Sequence, residues 1–183
     1  DKLTNEIGTE SYVAVCGYEP EFIKIENMAV GSSLTLENPP NKRYKGESSH
    51  ALINGMGGTI NYQDKSWQGF EAEDLIAIID LGSAKTINAV EVRFLQSQVF
   101  WIFLPYHIQI EHSYDGKNFE LIYEDFPNND FSFEQKIISY KTNLDPLQSR
   151  FIRVKGYNID QCPDYHPGAG GPAWIFSDEI IIN

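Results

Sequence analysis

Carboxylates are the residues here most able to do chemistry, and two adjacent pairs stand out: Glu73-Asp74 and Asp178-Glu179. Acid–base catalysis at a glycosidic bond needs two carboxyls facing one cleft at a set separation, which neighbouring residues at strand ends do not provide. Adjacent acids at strand ends are more often solvated or metal-bound. No Gly-x-Ser-x-Gly, His-Glu-x-x-His or P-loop pattern occurs. Cys16 and Cys162 match no zinc spacing; they read either as two buried thiols or as one disulfide. Ten Tyr, eleven Phe and three Trp leave aromatic side chains to spare for a binding surface. The formal charge of −12 repels phosphate backbones and anionic headgroups, so nucleic acid and membrane surfaces are poor partners. A neutral ligand or a bound cation suits it better.

The elements that must position these residues are strands. With 183 residues and 42% hydrophobic content, the chain has enough material for one domain with a real core. Period-two segments dominate: Phe22–Glu26, Ser33–Leu36, Leu75–Leu81, Ile87–Phe94, His107–His112, Phe119–Tyr123, Gln135–Tyr140, Phe151–Lys155 and Glu179–Ile182. Ile108 and Ile110 alternate with His107, Gln109 and Glu111, one face buried and the other wet. Asp115-Gly116 predicts a hairpin turn of type I′, which needs positive φ at both central positions. No amphipathic pattern longer than two helical turns is present, and Gly and Pro collect in loops. Eight or nine strands in this length predict an all-β fold, an antiparallel β-sandwich of jelly-roll type. Residues 1–28 read as a polar leading linker with one strand added to the sandwich edge, around Tyr12–Cys16. No apolar run reaches the ~20 residues needed to cross a bilayer. The polar opening at Asp1 is expected of a mature form or an excised piece.

Between Ala51 and Phe119 an ordered set of motifs appears. Ala51-Leu52-Ile53-Asn54-Gly55 is followed by Trp67-Gln68-Gly69-Phe70 and Ile78-Ile79-Asp80-Leu81-Gly82. Next come Val90–Gln96, Ile102-Phe103-Leu104-Pro105 and Ser113-Tyr114-Asp115-Gly116-Lys117-Asn118-Phe119. The set resembles the discoidin, or coagulation-factor type C, domain family, with its galactose-binding-like sandwich. Trp67–Phe70, Trp101–Pro105 and the tail Cys162–Glu179 further resemble the C-terminal module of bacterial family-20 β-N-acetylhexosaminidases, the chitobiases. The likeness covers about residues 29–183, read as the binding module, and implies an accessory domain of a secreted, periplasmic or cell-surface bacterial enzyme. That enzyme family works with an Asp-Glu pair on a barrel of ~250 residues, absent here, so the chain alone is expected to be inert and, when isolated, monomeric.

The resemblance implies two sites. One is a structural calcium held by the Ala51 carbonyl, Asn54, Met56, Thr59, the Asp178 carbonyl and the Glu179 carboxylate, in keeping with calcium's need for six to eight oxygens. Asn54 stands where the family has Asp, so one negative charge is lost and affinity should fall. The competing reading is a simple Asn54-Gly55 turn and a solvated Glu179. The other site is for sugar, on loops at the same end of the sandwich. Sugars pair apolar CH faces with hydroxyls, so their binders combine aromatic platforms with planar polar groups. From loops Asn61–Ser66, Gln96–Phe103 and Asp160–Trp174 the expected contacts are Tyr62, Gln96, Trp101, Tyr165, His166 and Trp174. Trp67 is expected in the core beneath. Packing is the competing role for Trp101, and a bond within its own loop for His166.

The implied partner is therefore a glycan bearing galactose or N-acetylhexosamine. Two other readings remain: a structural domain packed on the parent catalytic domain, whose Trp101 and Trp174 loops would be interface, and protein or phospholipid adhesion, where the acidic charge argues against anionic lipid.

Overall fold

In the computed structural model, which describes residues 23–183, the alternating segments become seven of nine strands, and the other two, Met56–Gly57 and Gln68–Glu71, lie outside them. The nine are β1 (Ile23–Lys24), β2 (Ser33–Leu36), β3 (Met56–Gly57), β4 (Gln68–Glu71), β5 (Leu75–Gln96), β6 (His107–Ser113), β7 (Glu120–Asp125), β8 (Lys136–Tyr157) and β9 (Trp174–Ile182). Single 3-10 turns lie at Ala51–Ile53 and Gln98–Phe100, and no α-helix occurs among the described residues. All strand pairings are antiparallel.

β5 and β8 run through both layers of the sandwich. The first half of β5 pairs with β2 and with the second half of β8, which continues to β6 and β7. The second half of β5 pairs with the first half of β8 and with β9, which continues to β4. Side chains of the two layers meet in one core: Ile79, Ile110, Ile152 and Val154 face Val90, Val92, Phe94, Ile180 and Ile182, all without solvent exposure. Fully burying each such side chain contributes roughly 1.5–3 kcal/mol.

Four of the expected strands are thus two long ones. The expected break in β5 is a bend: Gly82 takes φ +79, the register slips between Asp80 and Lys85, and pairing with β8 then resumes. Arg150 fastens this corner, donating to both oxygens of Asp80 at 2.7 and 2.8 Å. In β8 the interruption is Pro146, which has no N–H to give a ladder. It falls in the irregularity between the Asn143–Ala89 and Leu147–Ile87 pairs.

The Asp115-Gly116 hairpin forms, but not with a type I′ turn. Only Gly116 has positive φ. Asp115 instead accepts bonds from the Lys117 and Asn118 N–H groups, the Asn118 amide and the Ser113 hydroxyl. Those donors, the Asn118 and Lys117 backbone foremost, hold its carboxyl far below the usual range.

The expected linker and edge strand fall largely on residues 1–22, outside the described residues, as does Cys16. Residues 23–24 pair with β3, and the Asn27 side chain bonds Glu179, Ile180, Ala29 and Ile182.

Candidate functional site

One end of the sandwich carries a layer of aromatic residues over a small second core. Trp67, Leu95, Ile102 and Phe176 are buried there, with Tyr44, Tyr62 and Trp174 half-buried against them. The sequence folds this way because β4 and β9 pair Glu71 with Trp174 and Gly69 with Phe176, which brings the start of β9 up to the rim. Trp67 lies within this core, 1% exposed, its indole N–H donating to the Thr59 carbonyl at 2.9 Å.

Above it opens a cleft of about 220 Å³ lined by Arg43, Tyr44, Tyr62, Phe100, Trp101, Ile102, Trp174 and Phe176. Tyr44 is central, its ring 5.4 Å from Trp174 at 88° and 5.9 Å from Tyr62 at 65°. Phe100 lies 4.6 Å from Tyr62. Trp101 projects from the end of the Gln98–Phe100 turn with φ +64 and is 37% exposed. A bulky residue rarely takes that backbone region, and strain of this kind collects where a side chain must be aimed. The loop opposite holds the ring in place: Gly168 and Gly171 have no side chain, and a Cβ on either would lie 2.5 or 2.7 Å from the indole. The Trp174 N–H donates to the Trp101 carbonyl at 2.9 Å, tying the two tryptophans together.

Of the six expected sugar contacts, the structure brings Tyr62, Trp101 and Trp174 into this cleft. Gln96 is buried, 4% exposed at the end of β5, and does not line it. His166 is also buried: Nδ1 accepts the Gly168 N–H at 3.0 Å, so the proton sits on Nε2, which donates to the Gln98 carbonyl at 2.8 Å. Both nitrogens are thereby used in holding the loop under Trp101. Tyr165 is exposed beside Phe131, its hydroxyl donating to the Asn129 carbonyl, and does not line the cleft. Arg43, Tyr44 and Phe100 were not anticipated. The run Lys42-Arg43-Tyr44-Lys45 directly after Pro39-Pro40-Asn41 was their available signal.

Asn158 positions the loop's exit. It is buried, and its amide faces the carbonyls of Phe70, Glu73 and Ala173 at 3.2–3.3 Å, while the Asp74 carboxylate accepts its backbone N–H. Of the pair Glu73-Asp74, the Asp74 carboxylate is therefore engaged in holding Asn158, while Glu73 contributes its backbone carbonyl and its side chain is exposed. Cys162 is buried beneath the same loop with Phe103 and Ala173.

The second acidic pair lies at the β5–β9 irregularity, out of solvent. Asp178 Oδ2 takes Arg93 at 3.1 Å and the Gly58 N–H at 2.7 Å. Burial nonetheless raises the Asp178 carboxyl to about 7, against the pull of Arg93. Glu179 Oε1 accepts from the Asn27 amide at 2.6 Å and the Gly55 N–H at 2.8 Å, and burial raises this carboxyl too. Glu179 Oε2 and Asp178 Oδ1 are buried with no partner. A bare carboxylate oxygen in the interior is costly, and ligation by a cation would remove that cost. The Gly55 bond brings the turn Ala51–Thr59, which with the Asp178 carbonyl carries the other expected ligands, onto Glu179, so the unpartnered Glu179 oxygen is the feature that a hard cation would answer. No group of three or more His, Cys, Asp or Glu converges among the described residues, so Glu179 would be joined by neutral oxygens. Asn54 Oδ1 accepts the Met56 N–H and the Thr59 hydroxyl donates to Asp64; each oxygen keeps a lone pair.

No protein-family model matches this sequence, and no curated protein matches it. Its fold is that of several solved structures. The Clostridium perfringens module CpGH89CBM32-6 is 18% identical, with a TM-score of 0.51, over 86% of this chain and 98% of that one. Chitosan-binding module 1 of a chitosanase/glucanase from Paenibacillus sp. IK-5 is 14% identical, TM-score 0.52, with the same coverage. A fucose binding module of Streptococcus pneumoniae is 13% identical, TM-score 0.54, over 86% and 94%. Among the described residues no helix is long and apolar enough to cross a membrane.

Proposed function

We propose that the chain is a non-catalytic carbohydrate-binding module which holds a sugar ring against Trp101, Trp174 and Tyr62 in the rim cleft. The observation that carries this reading is the cleft itself: walls of Tyr44, Tyr62, Phe100, Trp101 and Trp174, an arginine in its lining, and a volume of about 220 Å³. That is below the 300–1,000 Å³ of pockets for drug-sized ligands and suited to one ring. Neighbours of the same fold are described as chitosan-binding and fucose binding, which supports the class without fixing the sugar. Galactose or N-acetylhexosamine is the proposed ligand, and a secreted bacterial glycoside hydrolase, of the family-20 β-N-acetylhexosaminidase type, the proposed parent.

So shallow a site binds weakly, with Kd on the order of 0.1–1 mM, or about −4 to −5.5 kcal/mol. Its value to a parent enzyme lies in raising the local concentration of substrate by tethering. Calcium belongs to the proposal as a structural ion: held by Glu179 with the Ala51 and Asp178 carbonyls, Asn54, Met56 and Thr59, it would neutralise the buried carboxylate. The chain's own part is to keep the Ala51–Thr59 turn seated on β9 through the Gly55–Glu179 and Gly58–Asp178 bonds.

A glycan array probed with the isolated chain tests the reading. Signal competed by free galactose or an N-acetylhexosamine is expected; a silent array would overturn it. One observation favours the alternative of an accessory domain that only packs on its catalytic partner: Val99, Phe131 and Phe133 are 47–73% exposed beside Trp101. A silent array with an intact fold would move the account to that reading.

A further inference from the structure

The rim that holds the aromatic cleft is basic in an acidic chain. Lys42, Arg43, Lys45 and Lys65 all flank it, and Arg43 and Tyr44 belong both to the aromatic cleft and to an adjoining groove lined by Lys42, Lys45, Gln63, Lys65 and Trp67. Among the described residues none of these four cations forms an ion pair. Two carboxylates, Glu47 and Asp64, share the groove, and both are engaged with uncharged donors. Glu47 takes the Asn54 amide, and Asp64 takes the Thr59 hydroxyl and N–H.

The backbone that carries Lys42 and Arg43 is also fixed in place. Lys42 and Arg43 form the tip of a tight turn closed by the Tyr44 N–H on the Asn41 carbonyl at 2.9 Å. That turn is fastened to β4 on both sides, Asn41 N–H to Gly69 carbonyl at 2.9 Å and Gly69 N–H to Tyr44 carbonyl at 2.8 Å. Arg43 packs over the Tyr44 ring, 5.3 Å from its centroid, which orders the guanidinium at low cost in entropy. A chain of net charge −12 needs no such patch for solubility, and a neutral sugar would leave all four charges unused.

We infer that the ligand of the rim cleft is an anionic saccharide. One ring stacks among Tyr62, Trp101 and Trp174, and its carboxylate or sulfate is met by Arg43, with Lys42, Lys45 and Lys65 along the adjoining groove. This rests on the carbohydrate-binding reading above and adds the chemical class of the sugar. Arg43 suits the task because its planar fork donates to two anionic oxygens at once.

Calorimetric titration of the full chain with three probes decides it: methyl β-galactoside, galacturonate and galactose 6-sulfate. Galacturonate or the sulfate should bind about five- to tenfold tighter than the neutral glycoside, since exposed ion pairs each contribute a factor of a few. The better of the two identifies the anion. In Arg43→Gln, checked for an unchanged melting temperature, that ratio should fall to about one; should the variant lose stability, Lys65→Gln provides the same reading with a smaller drop. Equal or weaker binding of both anions, with the neutral glycoside binding normally, would overturn the inference and leave the carbohydrate-binding reading intact. No binding of any probe would overturn both.

Discussion

Replacing Gly168 by Ala puts one methyl group under the Trp101 indole and so tests whether that ring is a ligand platform. The added Cβ would lie 2.5 Å from Cζ2, where ordinary contacts begin at 3.4 Å, so the ring must move by about 1 Å. Gly168 has no positive φ, and alanine brings no backbone strain there. Trp101 is 37% exposed and can swing toward solvent, so the stability cost should fall at or below the low end of the roughly 1–3 kcal/mol of overpacked cores. Stacking geometry is worth about 0.5–1.5 kcal/mol at an aromatic face. Glycan affinity should therefore fall about two- to tenfold while the melting temperature changes by only a few degrees. Calorimetric titration and a thermal melt read the two quantities separately. Gly171→Ala, whose Cβ would lie 2.7 Å from Cζ3, should behave alike. If both variants bind as the parent chain does, the ring is packing and does not touch sugar.

Three further outcomes follow from the same structure. Asn158→Ala should cost roughly 1–3 kcal/mol by removing buried hydrogen bonds to the Phe70 and Glu73 carbonyls, and should weaken glycan binding through the loop leading to Trp174; equilibrium unfolding in urea checks the first part. Glu111→Gln should destabilise the chain at pH 7. Burial alone would raise the Glu111 carboxyl, but bonds from Arg153 and Lys155 outweigh it and hold the carboxyl below its ordinary 4.5. That stabilisation is present above the unfolded value and is lost as pH falls through the folded one. The gap between the two melting curves should therefore close in acid, and a gap unchanged at pH 3 would contradict the assignment. Calcium at 100 times its Kd should add about 2.7 kcal/mol over chelator-treated protein, a rise that Glu179→Gln should abolish; identical melting curves for the unsubstituted chain in chelator and calcium would remove the ion from the account.

The strand faces were legible because Ile108, Ile110, Val90 and Val92 alternate with polar residues, and one buried face enforces that period. Strand lengths were less so. Gly82 and Pro146 look like terminators, yet each sits at a register slip that a long antiparallel ribbon absorbs. In the cleft, Trp101, Trp174 and Tyr62 could be picked out as large aromatics in loops. His166 could not be sorted by type, since a polar side chain that satisfies a neighbouring carbonyl reads the same as one waiting for ligand, and Gln96 at a strand end reads the same whether buried or at the rim. Arg43 and Tyr44 come from a turn far away in sequence that only the pairing of Asn41 and Tyr44 with Gly69 brings to the rim.

The three indole N–H groups offer the most direct measurement of the central claim. In a heteronuclear correlation spectrum of the labelled chain titrated with saccharide, the Trp101 and Trp174 indole peaks should shift and saturate together. The Trp67 peak, buried and bonded to Thr59, should stay nearly still. Saturable binding that leaves the Trp101 and Trp174 peaks in place would contradict the account.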